Sequence, residues 1–317
     1  MSRILLTAIG SMAAAPVARR YQALGHTVFG CDIYPREWTA LAGELEFFQA
    51  RLATEGEPYV EQLREAVRRN GLDFLIPLTD PEVDALAPRK AEFRALGCTV
   101  CVPEERVAAL CRRKDKMNRF LAEKQVCRLI PTEIAVSGQP CPFPFPAMVK
   151  PRSGRSSLGQ AVAADEKSYQ TALAGREDCI VQPFLEGDVF CVDVARDAFG
   201  HTRAAARQEL LRNKSGLGMT VEVLPGHPLE AVCAAIAEAV GLVGVVNMEF
   251  IRHGDDFFFL EVNPRFSGGV GFSMAAGMDF AEMMLCCHSG GSVEAFPAAP
   301  KHALLARESA IVLTQLR

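Results

Sequence analysis

Tryptophan and tyrosine are scarce, at one and four residues in a chain of 317. Positive charge is not in excess either: 34 Lys and Arg stand against 38 Asp and Glu, a net charge of −4. Without a basic stripe interleaved with aromatics, nucleic acid is a poor partner for this chain. No apolar run reaches about 18 residues, so no membrane span is expected. The cysteines form no disulfide framework: there are 11, an odd number, scattered from end to end. Such spacing predicts reduced thiols and a cytoplasmic setting. "CTVC" (Cys98, Cys101) is a lone C-x-x-C with no helix start behind it and no second pair at zinc spacing, so neither redox nor zinc chemistry is expected there. Cys286, Cys287 and His288 fit an apolar helix face better than a metal site. G-x-G-x-x-G, G-x-x-x-x-G-K-[ST] and a Ser-His-Asp or Cys-His arrangement are all missing, which removes the common dinucleotide cradle, the Walker loop and a side-chain nucleophile.

Apolar residues make up 49% and charged residues 23%, as in ordinary globular chains. "RILLTAIGSMAAAPVA" has the ingredients of a signal peptide. It reads better as a strand, a glycine turn and a helix, because "RRYQALGHTVFGCD" continues it with a helix end and a second strand. Helix 57–70 closed by Gly71, strand "DFLIPLTD", helix 81–95 and strand "CTVCVP" follow. This alternation predicts a parallel, doubly wound sheet. Asp32 at a strand end is expected to be a turn former rather than a ribose contact.

Composition changes near residue 104. A basic helix over 104–124 leads to strand "PTEIAV" and a proline-dense connector, "GQPCPFPFP", which cannot be helical. "FPAMVKPRSGRSSLGQAV" then offers a strand ending at Lys150 and a loop of Ser153, Gly154, Ser156, Ser157 and Gly159. Small residues let backbone N–H groups approach an anion. Further on, strand "GVVNMEFIRH" turns at "HGDD" and returns as "FFFLEVNPRFSGG". Along a strand Glu261, Asn263 and Arg265 share a face. A hairpin turning near Gly254 and Asp255 sets Glu249 opposite residue 260 or 261. Two carboxylates and an amide oxygen on one face suit Mg²⁺ shared with phosphate oxygens, and the arginine is a planar fork for phosphate or carboxylate.

"LEVNPRFSGG" with Glu249 upstream, preceded in order by Lys150 with its glycine loop and by "VQPFLEGD", resembles the ATP-grasp superfamily in its carbamoyl-phosphate-synthase-like and amino-acid-ligase-like branch. The resemblance spans almost the whole chain. It implies an α/β and α+β fold: a Rossmann-like leading domain over 1–104 and an ATP-grasp domain over 105–317, with a mobile lid lobe at about 125–180. It makes Lys116 and Lys150 nucleotide contacts, and Ser153, Gly154, Ser156 and Ser157 part of the loop over the phosphates. Gln182, Phe184 and Leu185 become the adenine hinge, and Glu249, Glu261 and Asn263 the ligands of Mg²⁺, or of Mn²⁺ in its place. Arg265, with Lys150 and Glu261, would serve the phosphoryl transfer. Pro183 stands where relatives commonly have glutamate, and the ribose-contacting glutamate falls near Val189, leaving Asp188 or Glu186 to substitute. Arg207, Arg212 and Lys214, with Ser267 and Gly268, lie where the acceptor binds. The implied activity is ATP-dependent ligation of a small-molecule carboxylate to an amine through an acyl phosphate. Carboxyphosphate or carbamoyl-phosphate chemistry and a silent ATP-binding protein are the alternatives, and a homodimer or partner chain is compatible with the pattern.

Overall fold

The computed structural model describes residues 1–154 and 158–315; Ser156 and Ser157 lie outside the described residues. Strands β1 (Arg3–Leu6), β2 (Thr27–Asp32), β3 (Glu46–Gln49), β4 (Phe74–Ile76) and β5 (Thr99–Val100) alternate with helices α1 (Ala14–Ala23), α2 (Glu57–Asn70), α3 (Asp80–Leu86) and α4 (Lys90–Ala95). The strands pair in parallel in the order β3-β2-β1-β4-β5. Helix α2 buries Tyr59, Val60, Leu63 and Val67 along one stripe and ends where Gly71 takes a φ of +56°. The single helix expected over 81–95 is divided into α3, one 3₁₀ turn (Ala87–Arg89) and α4. Pro88 explains the division, since it supplies no N–H and its ring crowds the preceding turn. Strand order reverses between β1 and β4, and in such sheets the crevice beyond the strands' carboxyl ends at that point is where ligands settle. Ser11–Ala13 follow β1 there, and Leu78–Asp80 follow β4.

The basic segment 104–124 also divides, into α5 (Glu105–Arg112) and α6 (Lys114–Lys124). Arg113 between them is extended, with φ −108° and ψ 96°, and its guanidinium grips Asp115 at 3.0 and 2.8 Å. The freed N–H of Lys114 donates to the carbonyl of Arg152 at 2.9 Å, which ties the start of α6 to the next sheet. After β6 (Arg128–Leu129), that sheet is built from β7 (Glu133–Ala135), β8 (Ala147–Pro151), β9 (Ala161–Ala163), α7 (Glu166–Leu173) and β10 (Cys179–Pro183). It is antiparallel in the order β7-β10-β8-β9 over a small core of Ala147, Val149, Tyr169, Leu173 and Val181.

The third sheet holds β11 (Asp188–Arg196), β12 (Thr202–Arg212), β13 (Gly218–Val223), then after α8 (Pro228–Val240) β14 (Gly244–His253) and β15 (Asp256–Asn263), then after α9 (Val270–Ala275) and α10 (Phe280–His288) the edge strand β16 (Ala303–Ala306). Its order is β16-β13-β12-β11-β14-β15-β6. One face, with Val192, Val246, Met248, Phe250 and Phe259, is sealed by α5, α6 and α8. Helix α10 joins this sheet to the leading one: Met283 and Met284 share a core with Val17, Tyr21, Ala205 and Val245, and the Tyr21 hydroxyl donates to the Ala281 carbonyl at 2.8 Å. The other face of β11, β12, β14 and β15 looks into a cleft bordered by all three sheets. All eleven cysteines are free thiols, and burial pushes Cys98 up to about 12. No helix among the described residues is long and apolar enough to cross a membrane.

Candidate functional site

The β14–β15 hairpin pairs Phe250 with Phe259 but Glu249 with Glu261. Leu260 is therefore a surplus residue, a β-bulge. Because side chains alternate, one extra residue moves Glu261 from the apolar face to the face carrying Glu249. Between the two positions the hairpin allowed for Glu249, the bulge selects the one opposite Glu261. Residues 207, 191, 249 and 261 are successive cross-strand neighbours over β12, β11, β14 and β15, and 193, 247 and 263 form the next row over β11, β14 and β15. The sheet thus presents Arg207, Cys191, Glu249, Glu261, Asp193, Asn247 and Asn263 on one side, beneath a cleft of about 610 Å³.

Burial and then the neighbouring Glu261 charge push the Glu249 carboxyl up to about 7. Glu261 goes the other way. Burial opposes its ionisation, but Lys114, with Nζ at 2.8 Å, and then Lys150 hold it below the usual carboxylate range. Burial draws Lys150 down to about 8, against the pull of Glu261. The Asn263 amide nitrogen donates to Glu249 at 3.2 Å and approaches Glu261 at 3.5 Å, while its oxygen accepts from Arg265 at 3.4 Å. Among the described residues no cluster of three or more His, Cys, Asp and Glu is arranged as a metal site, so the donor set here is two carboxylates and an amide. That set fits a hard dication: one carboxylate already resists ionisation for want of positive charge, and oxygen donors are what Mg²⁺ takes.

The proton on Glu249 makes a testable link. At pH 6 about one proton should be released per Mg²⁺ bound, and affinity should rise roughly tenfold per pH unit up to about 7, then flatten. Calorimetry in buffers of different ionisation enthalpy measures both, and Glu249→Gln should remove the proton release. In the ligand-free chain the raised carboxyl acts in the opposite sense. The folded state holds the extra proton between the unfolded value near 4.5 and about 7. This group's contribution to stability therefore declines as pH rises through that window.

Lys150 lines the cleft from β8, and Gly154 borders it, but Ser153 is exposed and outside the lining. Gln182 lines it from β10, and Phe184 and Leu185 from the segment joining β10 to β11. Gln182 is buried and donates its amide to the Thr132 hydroxyl at 2.7 Å. The Phe184 N–H is spent on the Pro146 carbonyl at 3.1 Å. Ile130, Met148, Leu185, Val189, Ile251 and the bulged Leu260 give this end an apolar lining. Asp188 is elsewhere: it pairs with Arg252, while its neighbour Val189 lines the cleft. Adjacent strand residues point oppositely, so the acid beside Val189 cannot share its face. Glu186 is exposed and is not part of the lining either.

Lys116 is likewise corrected. It is exposed and off the cleft, whereas Lys114 is buried in it. Residues two apart on a helix face nearly opposite ways, and the break at Arg113 sets the phase of α6 so that Lys114 faces inward. On the activity that the ATP-grasp resemblance implies, Lys114→Ala should lower nucleotide-dependent turnover about 100-fold through lost charge stabilisation, while Lys116→Ala should stay within about twofold as a surface charge. Steady-state kinetics on the two variants checks the assignment.

Arg207 is not a solvated loop residue. It is 1% exposed and gives its guanidinium to Asp193 at 2.6 Å, Glu209 at 3.2 Å, Ser273 at 3.2 Å and Ser267 at 3.1 Å. Burial alone would lower it, but Asp193 and Glu209 raise it above the ordinary arginine value. Gly269 has to lack a side chain, because a Cβ there would come within 2.7 Å of the Arg207 guanidinium. Arg212 lines the cleft, donates to the Gly216 carbonyl at 2.9 Å and stands 3.9 Å from Glu249. Lys214 is exposed and outside the lining. Ser267 and Gly268 border the cleft, and the Gly268 carbonyl accepts from Arg307 at 2.6 Å.

Arg265 lines the cleft with its fork already occupied. Nε and Nη2 reach the two carboxylate oxygens of Asp80 at 3.1 and 2.8 Å. Asp80 opens α3 on the leading sheet and is fully buried. Burial would raise its carboxyl, but Arg265, then Arg112 and Lys114, hold it low. Sequence reasoning missed Asp80. The available signal was its place after β4, at the switch point of the parallel sheet.

A family model described as ATP-grasp in the biosynthetic pathway with Ter operon matches residues 175–310. The formate-dependent phosphoribosylglycinamide formyltransferase of Synechococcus sp. (strain CC9605) is 27% identical over 280 residues, which are 78% of this chain and 66% of that protein. The chain thus spans about two thirds of that curated relative's length. Among solved structures, the biotin carboxylase domain of Hydrogenobacter thermophilus 2-oxoglutarate carboxylase, bound to MgADP, ADP and bicarbonate, overlays at a TM-score of 0.73 with 16% identity, covering 92% of this chain and 71% of that one. The L-amino acid ligase of Bacillus licheniformis overlays at 0.72 with 14% identity, covering 92% and 74%.

Proposed function

Because this chain has the ATP-grasp fold and an ATP-grasp family model matches its residues 175–310, we propose that it is an ADP-forming ligase that joins a small carboxylate to an amine. The observation that carries this reading is Glu249 set opposite Glu261 with Asn263 beside them, facing Lys114, Lys150 and Arg265 in one cleft. Acids and cations gathered in one cleft, whose Cys191 thiol is held protonated by burial, suit chemistry done on a phosphoryl group held by charge.

In this reading the adenine lies in the apolar end between β8, β10 and β15, and the phosphates run toward Lys150 and Lys114. Glu249, Glu261 and Asn263 would hold Mg²⁺, which supplies charge neutralisation of the phosphate oxygens when bound. A carboxylate oxygen of the substrate attacks the γ-phosphorus. The new O–P bond forms as the bond to the β,γ-bridging oxygen breaks, and ADP leaves. Lys150 and Arg265 offset the charge that collects on the phosphoryl oxygens. The amine nitrogen then attacks the acyl carbon, phosphate departs with the bonding pair, and the amine gives up a proton. The relative named above is titled for formate and the Bacillus enzyme for amino acids; the class common to both names, carboxylate plus amine, is the substrate class proposed here. Asp188 and Lys116 have no part in it.

Phosphate release from ATP, measured over a grid of small carboxylates and amines with Glu261→Ala as the blank, tests the proposal. Release that needs both a carboxylate and an amine, with a new amide by mass, is the expected result. Nucleotide binding without release over the whole grid would leave a silent ATP-binding protein instead.

A further inference from the structure

Arg265 has three acids within reach of its field, and it is bound to the one outside the proposed metal set. Asp80 takes its Nε and Nη2 edge at 3.1 and 2.8 Å, and the Phe266 carbonyl takes Nη1 at 3.1 Å. Glu249 and Glu261 both attract Arg265, but neither is bonded to it. A single amide separates them: Asn263 accepts from Arg265 through its oxygen and donates toward both carboxylates through its nitrogen. Asp80 itself is fully buried and held firmly, since Thr79 and Glu82 form a capping box around the start of α3. Arg112 adds a second cation at 3.7 Å.

We infer that Asp80 is a positioning residue whose task is to hold the Arg265 fork away from Glu249 and Glu261, so that those carboxylates stay open to a divalent cation. The inference rests on the nucleotide-site reading above. The physical ground is competition for the same oxygens. A guanidinium forms bidentate pairs with carboxylates readily, and does so best where water is excluded. An Arg265 without its buried partner would turn to the nearest remaining acids, both of them across Asn263. A cation entering between Glu249 and Glu261 would then have to displace an arginine. With Asp80 in place that competitor is already satisfied, and the leading sheet, through a side chain nearly two hundred residues away in sequence, keeps the acids of the seven-stranded sheet available.

The test is a double-mutant cycle on Mg²⁺·ADP binding by calorimetry, which does not depend on turnover. Asp80→Asn should weaken Mg²⁺·ADP about tenfold or more, while metal-free ADP binding changes little. Arg265→Met supplies the background in which no guanidinium competes for those carboxylates. In the Arg265→Met background, Asp80→Asn should have no further effect. An equal loss from Asp80→Asn in both backgrounds would mean that Asp80 acts on its own surroundings and would overturn the inference, as would wild-type affinity in Asp80→Asn alone. Should the single variant not fold, with its arginine buried and unpaired, the comparison of Asp80→Asn/Arg265→Met with Arg265→Met decides by itself: equal affinities support the inference, and a difference above about threefold sinks it. Wild-type chain that takes up no Mg²⁺·ADP overturns the nucleotide site, and this inference with it.

Discussion

Replacing Glu261 by glutamine should reduce ATP-dependent phosphate release on the order of 10³-fold or more. The substitution keeps shape and removes one charge, and that charge has two partners. Lys114 lies 2.8 Å away with almost no exposure, so an uncharged neighbour leaves a buried ammonium without a counter-ion. The same oxygens belong to the proposed metal set, whose other carboxylate is pushed up by burial and by the Glu261 charge. Glutamine supplies an oxygen but no charge, and Glu249 alone would have to gather the cation. Loss of the Glu261 charge also relieves Glu249, whose carboxyl should titrate nearer the ordinary range. Kinetics at saturating Mg²⁺ checks the first expectation, and a pH series of ligand-free stability checks the last. Residual turnover within tenfold of wild type would place the chemistry elsewhere.

Arg207→Met should cost about 3–5 kcal/mol, the usual penalty for breaking a buried ion pair from one side. Asp193 would keep the Ser273 hydroxyl at 2.7 Å and the Asn247 amide at 3.3 Å. Glu209 fares worse. One of its oxygens accepts only from Arg207 and the other has no partner among the described residues. Most of the penalty should therefore fall on Glu209, and adding Glu209→Gln should recover a large part of it. The thermal midpoint of the single variant should fall on the order of 10 °C, measured by scanning calorimetry. The double variant should stand clearly above the single one. A single variant as stable as wild type would show that the network is not needed to hold β11, β12 and α9 together.

Local pattern carried much of this fold into the sequence, and distance in the chain hid the rest. Alternation in "FFFLEVNPRF" and the turn at "HGDD" placed Glu249, Glu261, Asn263 and Arg265 together, because a hairpin needs only short-range information. The bulge at Leu260 was not legible: Phe-Phe-Leu-Glu pairs acceptably in either register, and the choice is made by packing under the sheet. Lys114 and Lys116 were exchanged for a related reason. A one-residue break at Arg113 resets the helix, and what stabilises the break is the Arg152 carbonyl just past β8, some forty residues on. Asp188 lost its place to strand alternation, set by the register of β11 against β14. The network around Arg207, read from the sequence as a cation for the acceptor, was not legible because its partners Asp193, Ser267 and Ser273 are scattered along the chain. Asp80 was invisible for the same reason, since its partner Arg265 lies 185 residues on in the chain. Each miss concerns a contact between segments that composition and periodicity cannot join.

The surplus residue at Leu260 has a further consequence for anyone who alters this hairpin. Sheet chemistry is a matter of parity: odd or even position decides which side a group occupies. Trimming one residue ahead of Glu261, or grafting this hairpin onto a scaffold with an unbroken ladder, would invert the remainder of the strand. Glutamate and asparagine would then press into the oily layer beneath, while valine turned toward the cleft. Sequence identity across the segment would stay almost complete, and the acids would still be present in any alignment. A relative that keeps every acid but has shed this one-residue offset is therefore expected to be an inert homologue, and counting residues between the turn and the glutamate would find it.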